Sequence, residues 1–159
     1  METRGHLIVD VARLDAAGES FAGETDDGAL DLEAMPLCGP QGGIRYDVHV
    51  EQIGHELLVQ GRVAQVFQCL CSRCAEPFAR EVVEPHFFAD YPVEAGTEYV
   101  DLTPEMREAI ILALPGYPVC RDDCRGLCAR CGANLNRESC TCKPDSGGSW
   151  AGLDVLGKA

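Results

Sequence analysis

The spacing of the cysteines constrains this chain more than any other feature. Six of the ten, Cys120, Cys124, Cys128, Cys131, Cys140 and Cys142, lie in one short stretch, and Cys71 and Cys74 form a separate Cys-x-x-Cys knuckle in a β-patterned region. Such spacings suit a tetrahedral Zn2+, which takes two thiolates from one tight turn and two from elsewhere at about 2.3 Å each. The sharper signal is Cys128-Ala129-Arg130-Cys131-Gly132. A glycine after the second cysteine lets the backbone curl so that amide groups point at sulfur. The expectation is structural metal binding.

A chain of 159 residues can bury roughly 70% of its extended surface, so it holds a core without needing disulfides. The first twenty residues carry Asp10, Arg13, Asp15 and Glu19 and contain no apolar run of signal-peptide length. No stretch approaches a membrane span. The expected location is cytoplasmic, where clustered cysteines read as metal ligands before disulfides. The net charge of −13 is uneven: residues 1–60 hold 12 acids against 3 bases, residues 61–118 hold 9 against 4, and residues 119–159 hold 5 against 6. A nucleic-acid reader presents a basic stripe. This body is acidic, which fits a basic protein partner or simple solubility.

Leu7 to Val11 reads as a short strand, and residues 16–43, rich in Gly, Asp, Glu and Ala, read as a loop with one weak helical turn. Ile44, Tyr46, Val48 and Val50 alternate with polar residues, which is the period of a half-buried strand. Gly54-His55 marks a turn. Leu57 to Leu70 gives a second strand with Gly61 as a candidate bulge, and Phe78 to Tyr91 a third. Pro85 breaks the ladder of the third, which places it at an edge or a bulge. Thr103 as cap, Pro104 at the first helical position and Glu105 in the first turn announce a helix over about 103–114. Its stripe is Met106, Ala109, Ile110, Ala113 and Leu114, and Pro115-Gly116 stops it. The expected fold is α+β: an antiparallel β-meander packed on one main helix, with a zinc-stapled Cys-rich C-terminal segment. The expected units are a body over 1–118, a metal-binding segment over 119–145, and a tail over 146–159 ending in Trp150, Leu153, Val155 and Leu156.

Eight clustered cysteines allow two metal sites of four thiolates each. Spacing assigns Cys128, Cys131, Cys140 and Cys142 to one, across a loop holding Gly132, Asn134 and Asn136. Cys71 and Cys74 then join Cys120 and Cys124 across almost fifty residues. The alternative is a single zinc among the last six, with Cys71 and Cys74 left as thiols. Cys69 suits either a substitute ligand or a buried side chain. Cys38 stands alone in a loop as a small apolar residue. His6, His49, His55 and His86 are scattered and are not expected to ligate metal.

Closed thiolate sites leave no coordination vacancy for catalysis. Cys71 follows a strand and precedes another, unlike a redox Cys-x-x-Cys at a helix start. No phosphate loop or hydrolase elbow is present, so neither enzyme activity nor a small-molecule substrate is expected. Arg121, Arg125, Arg130, Arg137 and Lys143 are the candidates for RNA contact. Asp122, Asp123, Glu138 and Asp145 nearly cancel their charge.

The order of motifs is distinctive. Cys71-Ser72-Arg73-Cys74-Ala75-Glu76-Pro77-Phe78 precedes Val100-Asp101-Leu102 and then Glu108 to Pro115. Cys120-x-x-x-Cys124 and Gly126-Leu127-Cys128-x-x-Cys131-Gly132 follow, then Asn134-Leu135-Asn136 and Cys140-x-Cys142. Over roughly residues 44–142 this resembles the YceD family of bacteria and plastids, the large ribosomal RNA subunit accumulation proteins. The resemblance implies a role in 23S ribosomal RNA accumulation and large-subunit biogenesis. Some members of that family lack the late set equivalent to Cys128 to Cys142. They keep a Cys-x-x-Cys before the helix and a His or Cys just after it, which supports pairing Cys71 and Cys74 with Cys120 and Cys124. The end of this chain departs from the charged tail common in the family.

The resulting expectation is a non-catalytic factor in large-subunit RNA maturation with one or two structural Zn2+ ions. Its expected partner is a basic ribosomal or assembly protein, with ribosomal RNA contact as the competing idea. A zinc-dependent adaptor without RNA contact is the alternative function, and a thiol redox sensor the third.

Overall fold

The computed structural model describes residues 6–26, 28–29 and 37–142. The readings made for the tail over 146–159, for Lys143 and for part of the 16–43 stretch fall largely or wholly outside these residues.

Strong alternation builds the main sheet. Strands β1 (Ile8–Asp10), β2 (Glu19–Glu24), β3 (Cys38–Ile53), β4 (Glu56–Leu70), β5 (Pro77–Pro92) and β6 (Tyr99–Asp101) precede α1 (Thr103–Ala113), the one α-helix among the described residues. The four long strands form one antiparallel sheet in the order β2-β3-β4-β5, and β1 pairs with β6 in a small ribbon. On β4, Leu57, Val59, Val63, Gln65, Phe67 and Cys69 all point to one face and all are buried. Ile44, Val48 and Val50 of β3 join them. The β1/β6 ribbon and α1 cover that face through Val9, Val100, Leu102, Met106 and Ile110, so the core is one layer between sheet and helix.

Gly54-His55 is the two-residue connection closing the β3–β4 hairpin at Ile53↔Glu56, with Gly54 at φ +64°. β5 is one of the sheet's two edge strands, β2 being the other. Its register against β4 jumps from Gly61↔Phe87 to Val63↔Glu84, which places one extra residue at Pro85-His86. Proline is tolerated there because the bulge needs no ladder donor.

Three local expectations are corrected. The 16–43 stretch is not a loop throughout: Glu19–Glu24 is a strand paired with Arg45–Val50, and β3 begins at Cys38. Thr103 does not cap α1. The cap residue is Leu102, and the Thr103 N–H is taken by the Asp101 carboxylate at 2.9 Å. The Thr103 hydroxyl is buried and accepts the Leu7 N–H at 2.9 Å, so it fastens the ribbon to the helix start. Pro104 accordingly occupies the second helical position. Finally, Cys38 is not an isolated loop residue. It lies opposite Cys69 across β3 and β4, and the two sulfurs are joined as a disulfide with Cα atoms 4.1 Å apart. The Leu70 N–H donates to the Leu37 carbonyl at 2.7 Å. Cys38 and Cys69 are therefore a non-hydrogen-bonded cross-strand pair, where side chains approach most closely. Cys69 is thereby removed as a substitute metal ligand.

Candidate metal centres

The strand β4 ends at Leu70 and runs directly into a knuckle. The Cys71 N–H donates to the Glu76 carbonyl at 2.9 Å and the Ala75 N–H to the Cys71 carbonyl at 2.8 Å, which curls Cys71 to Cys74 into one turn. Ala75 adopts φ +57°. Gly132, at the same place after Cys131, adopts φ +73°. The two knuckles thus share a backbone shape, with glycine in one and alanine in the other bearing the left-handed residue.

The chain leaving α1 is brought onto the first knuckle by backbone and arginine contacts. The Ser72 N–H donates to the Pro118 carbonyl at 2.8 Å. Arg73 donates from Nη1 to the carbonyls of Asp122 (3.0 Å) and Cys124 (3.2 Å). These contacts place Cys120 and Cys124 against Cys71 and Cys74. Cys71 Sγ and Cys124 Sγ lie 3.8 Å apart, as do Cys74 Sγ and Cys120 Sγ. A metal–sulfur length of about 2.3 Å requires tetrahedral edges of about 3.8 Å. All four sulfurs lie within 4.8 Å of one another, and three of the four residues are buried. Phe78 and Val119 pack against them.

The second quartet is Cys128, Cys131, Cys140 and Cys142, also within 4.8 Å of one another but with Cys131 and Cys142 exposed. Cys128 and Cys140 are 3.4 Å apart. Its loop is a small antiparallel turn. Leu127 bridges Asn134, the Cys128 N–H donates to the Ala133 carbonyl (2.8 Å), and the Gly132 N–H to that of Cys128 (2.9 Å). Each quartet could hold a metal ion.

Asn136, read from sequence as a turn residue, proves to connect the two. Its Nδ2 donates to Cys124 Sγ at 3.3 Å, while its Oδ1 accepts from the Arg125 N–H (2.8 Å) and from Arg121 Nη2 (3.0 Å). Asn134 donates to Glu76 at 3.2 Å and Arg137 to the same carboxylate at 2.8 Å. Asn136, Asn134, Glu76 and Arg73 were not singled out from sequence as site residues. Their only prior signal was turn chemistry and proximity to cysteines.

The thiols differ sharply in acidity. Burial pushes Cys71 up, but the N–H groups of Cys120, Cys74 and Arg73 outweigh it and bring it to about 6. The N–H groups of Cys131 and Arg130 lower Cys128 to about 6. Burial raises Cys124, yet the Asn136 amide and the Gly126 N–H hold it below the ordinary thiol value. Cys120 is raised to about 12 by burial and by its neighbouring thiols. Cys142 is raised to about 12 by its contacts with Cys131 and Cys140. Each quartet therefore presents ready thiolates beside thiols that ionise only when a cation offsets their mutual repulsion. The sign follows: metal uptake at pH 7 releases protons, and acid reverses it as Cys71 and Cys128 regain theirs. We expect affinity to fall steeply between pH 7 and 5, with the exposed quartet releasing its ion first. Competition with a chromophoric chelator across that range checks this, and uptake independent of pH would refute it.

Arg121 and the Arg125 backbone meet at Asn136 Oδ1, and the basic candidates are partly spoken for. Arg121 lies 3.2 Å from Asp123, Arg137 pairs with Glu76, and Arg130 also has a partner. Arg125 is exposed, and Lys143 lies outside the described residues. The histidines are not among the residues of either quartet. His6 meets Asp101 at 2.8 Å and His49 meets Ser20 at 3.2 Å. Among the described residues no helix is long and apolar enough to cross a membrane.

Residues 83–157 match the family model described as large ribosomal RNA subunit accumulation protein YceD. A Mycobacterium tuberculosis protein named only as uncharacterized is 32% identical across 83% of this chain and 72% of its own length. A Mycobacterium leprae protein, likewise uncharacterized, is 32% identical across 67% of this chain and 54% of its own. A Zea mays protein named large ribosomal RNA subunit accumulation protein YCED homolog 1, chloroplastic, is 45% identical over 31% of this chain and 17% of its own length. No solved structure matches the chain.

Proposed function

This chain belongs to the YceD family of large ribosomal RNA subunit accumulation proteins, and from that premise we propose that it supports 23S ribosomal RNA accumulation and large-subunit biogenesis as a zinc-stapled, non-catalytic factor. The observation that carries the zinc reading is the quartet Cys71, Cys74, Cys120 and Cys124. Its sulfurs are spaced for a tetrahedral ion and join segments 46 to 53 residues apart. An all-thiolate tetrahedral set favours Zn2+ among the divalent ions, and four protein ligands leave no open position for substrate. Cys128, Cys131, Cys140 and Cys142 form the second zinc site of this reading. Zn2+ in these sites does no chemistry on a substrate; it holds the segment after α1 against the end of β4.

The partner in this reading is a basic ribosomal or assembly protein rather than RNA directly. Two observations favour it: the net charge of −13, and the engagement of Arg121 and Arg137 with carboxylates of the chain itself. An RNA reader neutralising several phosphates loses affinity steeply with salt, with a log–log slope near −0.7 per contact on single strands. We expect weak binding to large-subunit RNA fragments and tighter binding to basic large-subunit proteins in parallel titrations. Capture from growing cells should survive RNase. Submicromolar, sequence-selective RNA binding at physiological salt, abolished by changing Arg121, Arg125, Arg130, Arg137 and Lys143 to alanine, would overturn this partner assignment.

A further inference from the structure

Strand β5 has β4 on one side only, and among the described residues no strand pairs with its other edge. The direction of its free backbone groups follows from the register. The Val93 N–H donates to the His55 carbonyl at 2.7 Å, which makes Glu56↔Pro92 a non-hydrogen-bonded pair. Antiparallel pairs alternate, so Leu57↔Tyr91 and Val59↔Ala89 exchange hydrogen bonds, while Leu58↔Asp90 and Gln60↔Phe88 do not. The N–H and C=O groups of Phe88 and Asp90 therefore point away from β4, towards the open edge.

That edge borders a groove of about 560 Å3 between β5 and α1. Phe88 on β5 is 61% exposed and Leu112 on α1 is 78% exposed, and Ala109 and Ala113 of α1 also line the groove. Four carboxylates, Glu84, Asp90, Glu105 and Glu108, line it, and no lysine or arginine does. A hollow at the bulge shares His86, Phe87 and Phe88 with the groove, so the Phe88 ring stands between two depressions. Edge strands are commonly guarded against pairing by prolines, bulges and short length. Pro85 and the bulge guard the part before Phe87 in this way, but Phe87–Tyr91 is regular.

We infer that this groove docks an extended, lysine- or arginine-rich segment of a partner protein, which adds to β5 as a further strand at Phe88–Asp90. Backbone pairing supplies the register, Leu112, Ala109 and Ala113 take apolar side chains on the helix side, and the rim carboxylates select basic flanks. Nucleic acid is disfavoured because its phosphates would meet four carboxylates. This deepens the partner reading above and draws on it only for the partner's basic character.

The test uses the full zinc-loaded chain and a synthetic ten-residue peptide of alternating lysine and valine. A second peptide has the same charge but carries backbone N-methyl groups along one edge, and a third alternates glutamate and valine. We expect the first to shift the amide resonances of Phe88 and Asp90 and to bind more weakly as salt rises. Affinity should fall at least tenfold on N-methylation and in the double variant Glu108→Lys, Leu112→Ser, and the glutamate peptide should not bind. Circular dichroism and metal content of the variant guard against misfolding. The inference is overturned by no binding at millimolar peptide, by binding equal in the variant, or by sedimentation showing that two copies of the chain already pair through β5. Co-sedimentation with large-subunit particles separates the two readings. A groove variant that co-sediments as well as wild type ends the groove inference alone. A wild-type chain that takes the peptide at the groove but does not co-sediment ends the ribosomal reading alone.

Discussion

Substitution Cys74→Ser is expected to cost the chain one of two bound zinc ions and to release the segment around Cys120 and Cys124 from the end of β4. The reason is topological. Cys74 and Cys120 are separated by 46 residues, and in this reading the ion bridges the knuckle and the helix exit where the Ser72 and Arg73 contacts bring them together. Structural zinc in cysteine sites contributes on the order of 10 kcal/mol to the fold that binds it. Little core substitutes for it: among the described residues, the apolar side chains packed on this cluster beyond the cysteines are Phe78 and Val119. Elemental analysis should fall from about two zinc to about one per chain. Amide exchange should accelerate by orders of magnitude at residues 120–124, while Leu57, Val59 and Phe67 keep their protection. Cys128→Ser should do the reverse, loosening residues 127–142 and sparing the first quartet. Unchanged exchange at Cys120 in Cys74→Ser, or disulfides mapped within the quartets in place of metal, would refute the assignment.

The second large effect is expected at Gly61. This residue lies on β4 opposite Val48 of β3, with φ +159°, and a Cβ there would sit 2.2 Å from the Asp47 carbonyl oxygen and 2.7 Å from Val48 Cα. Both obstacles are backbone of the neighbouring strand, so neither can swing aside. Gly61→Ala must push β3 away from β4 at the centre of the sheet. We expect a loss of about 3 kcal/mol, since overpacking and backbone strain each cost about 1–3 kcal/mol. The urea midpoint should drop with an unchanged slope. Gly39→Ala is the control. It has open space around it and should shift stability by less than about 0.5 kcal/mol.

These two sites also show what could be read from sequence. The alternation over Ile44 to Val50, the turn at Gly54-His55, the helix bounded by Pro104 and Pro115, and the edge position of Pro85 were all legible. Each depends on chemistry within a few residues. The cysteine spacing likewise announced two groups of four sulfurs. What escaped was set by pairing across long separations. Strand β2 (Glu-Ser-Phe-Ala-Gly-Glu) is mostly exposed and has no apolar period; only its register with Arg45–Val50 marks it as a strand. The Cys-Gly-Pro-Gln-Gly-Gly start of β3 carries turn residues yet pairs with the end of β4. Because that register was invisible, so was the meeting of Cys38 and Cys69. The role of Asn136 escaped for a related reason, since its partner Cys124 comes from the neighbouring quartet.

The long reach of the first quartet has a consequence for the chain as it is made. Cys71 and Cys74 leave the ribosome 46 residues or more before their partners. At about 5–20 residues per second, the half-built knuckle waits about 2 to 10 s. During that wait it has two thiols and no means of closing a tetrahedron by itself. Cys69, two residues upstream, is the nearest wrong partner, and Cys38 has already been synthesised to lie opposite it in the β3–β4 hairpin. The β3–β4 register settles where that sulfur goes: it buries Cys69 opposite Cys38 on the core face, apart from a knuckle whose remaining cysteines are not yet translated.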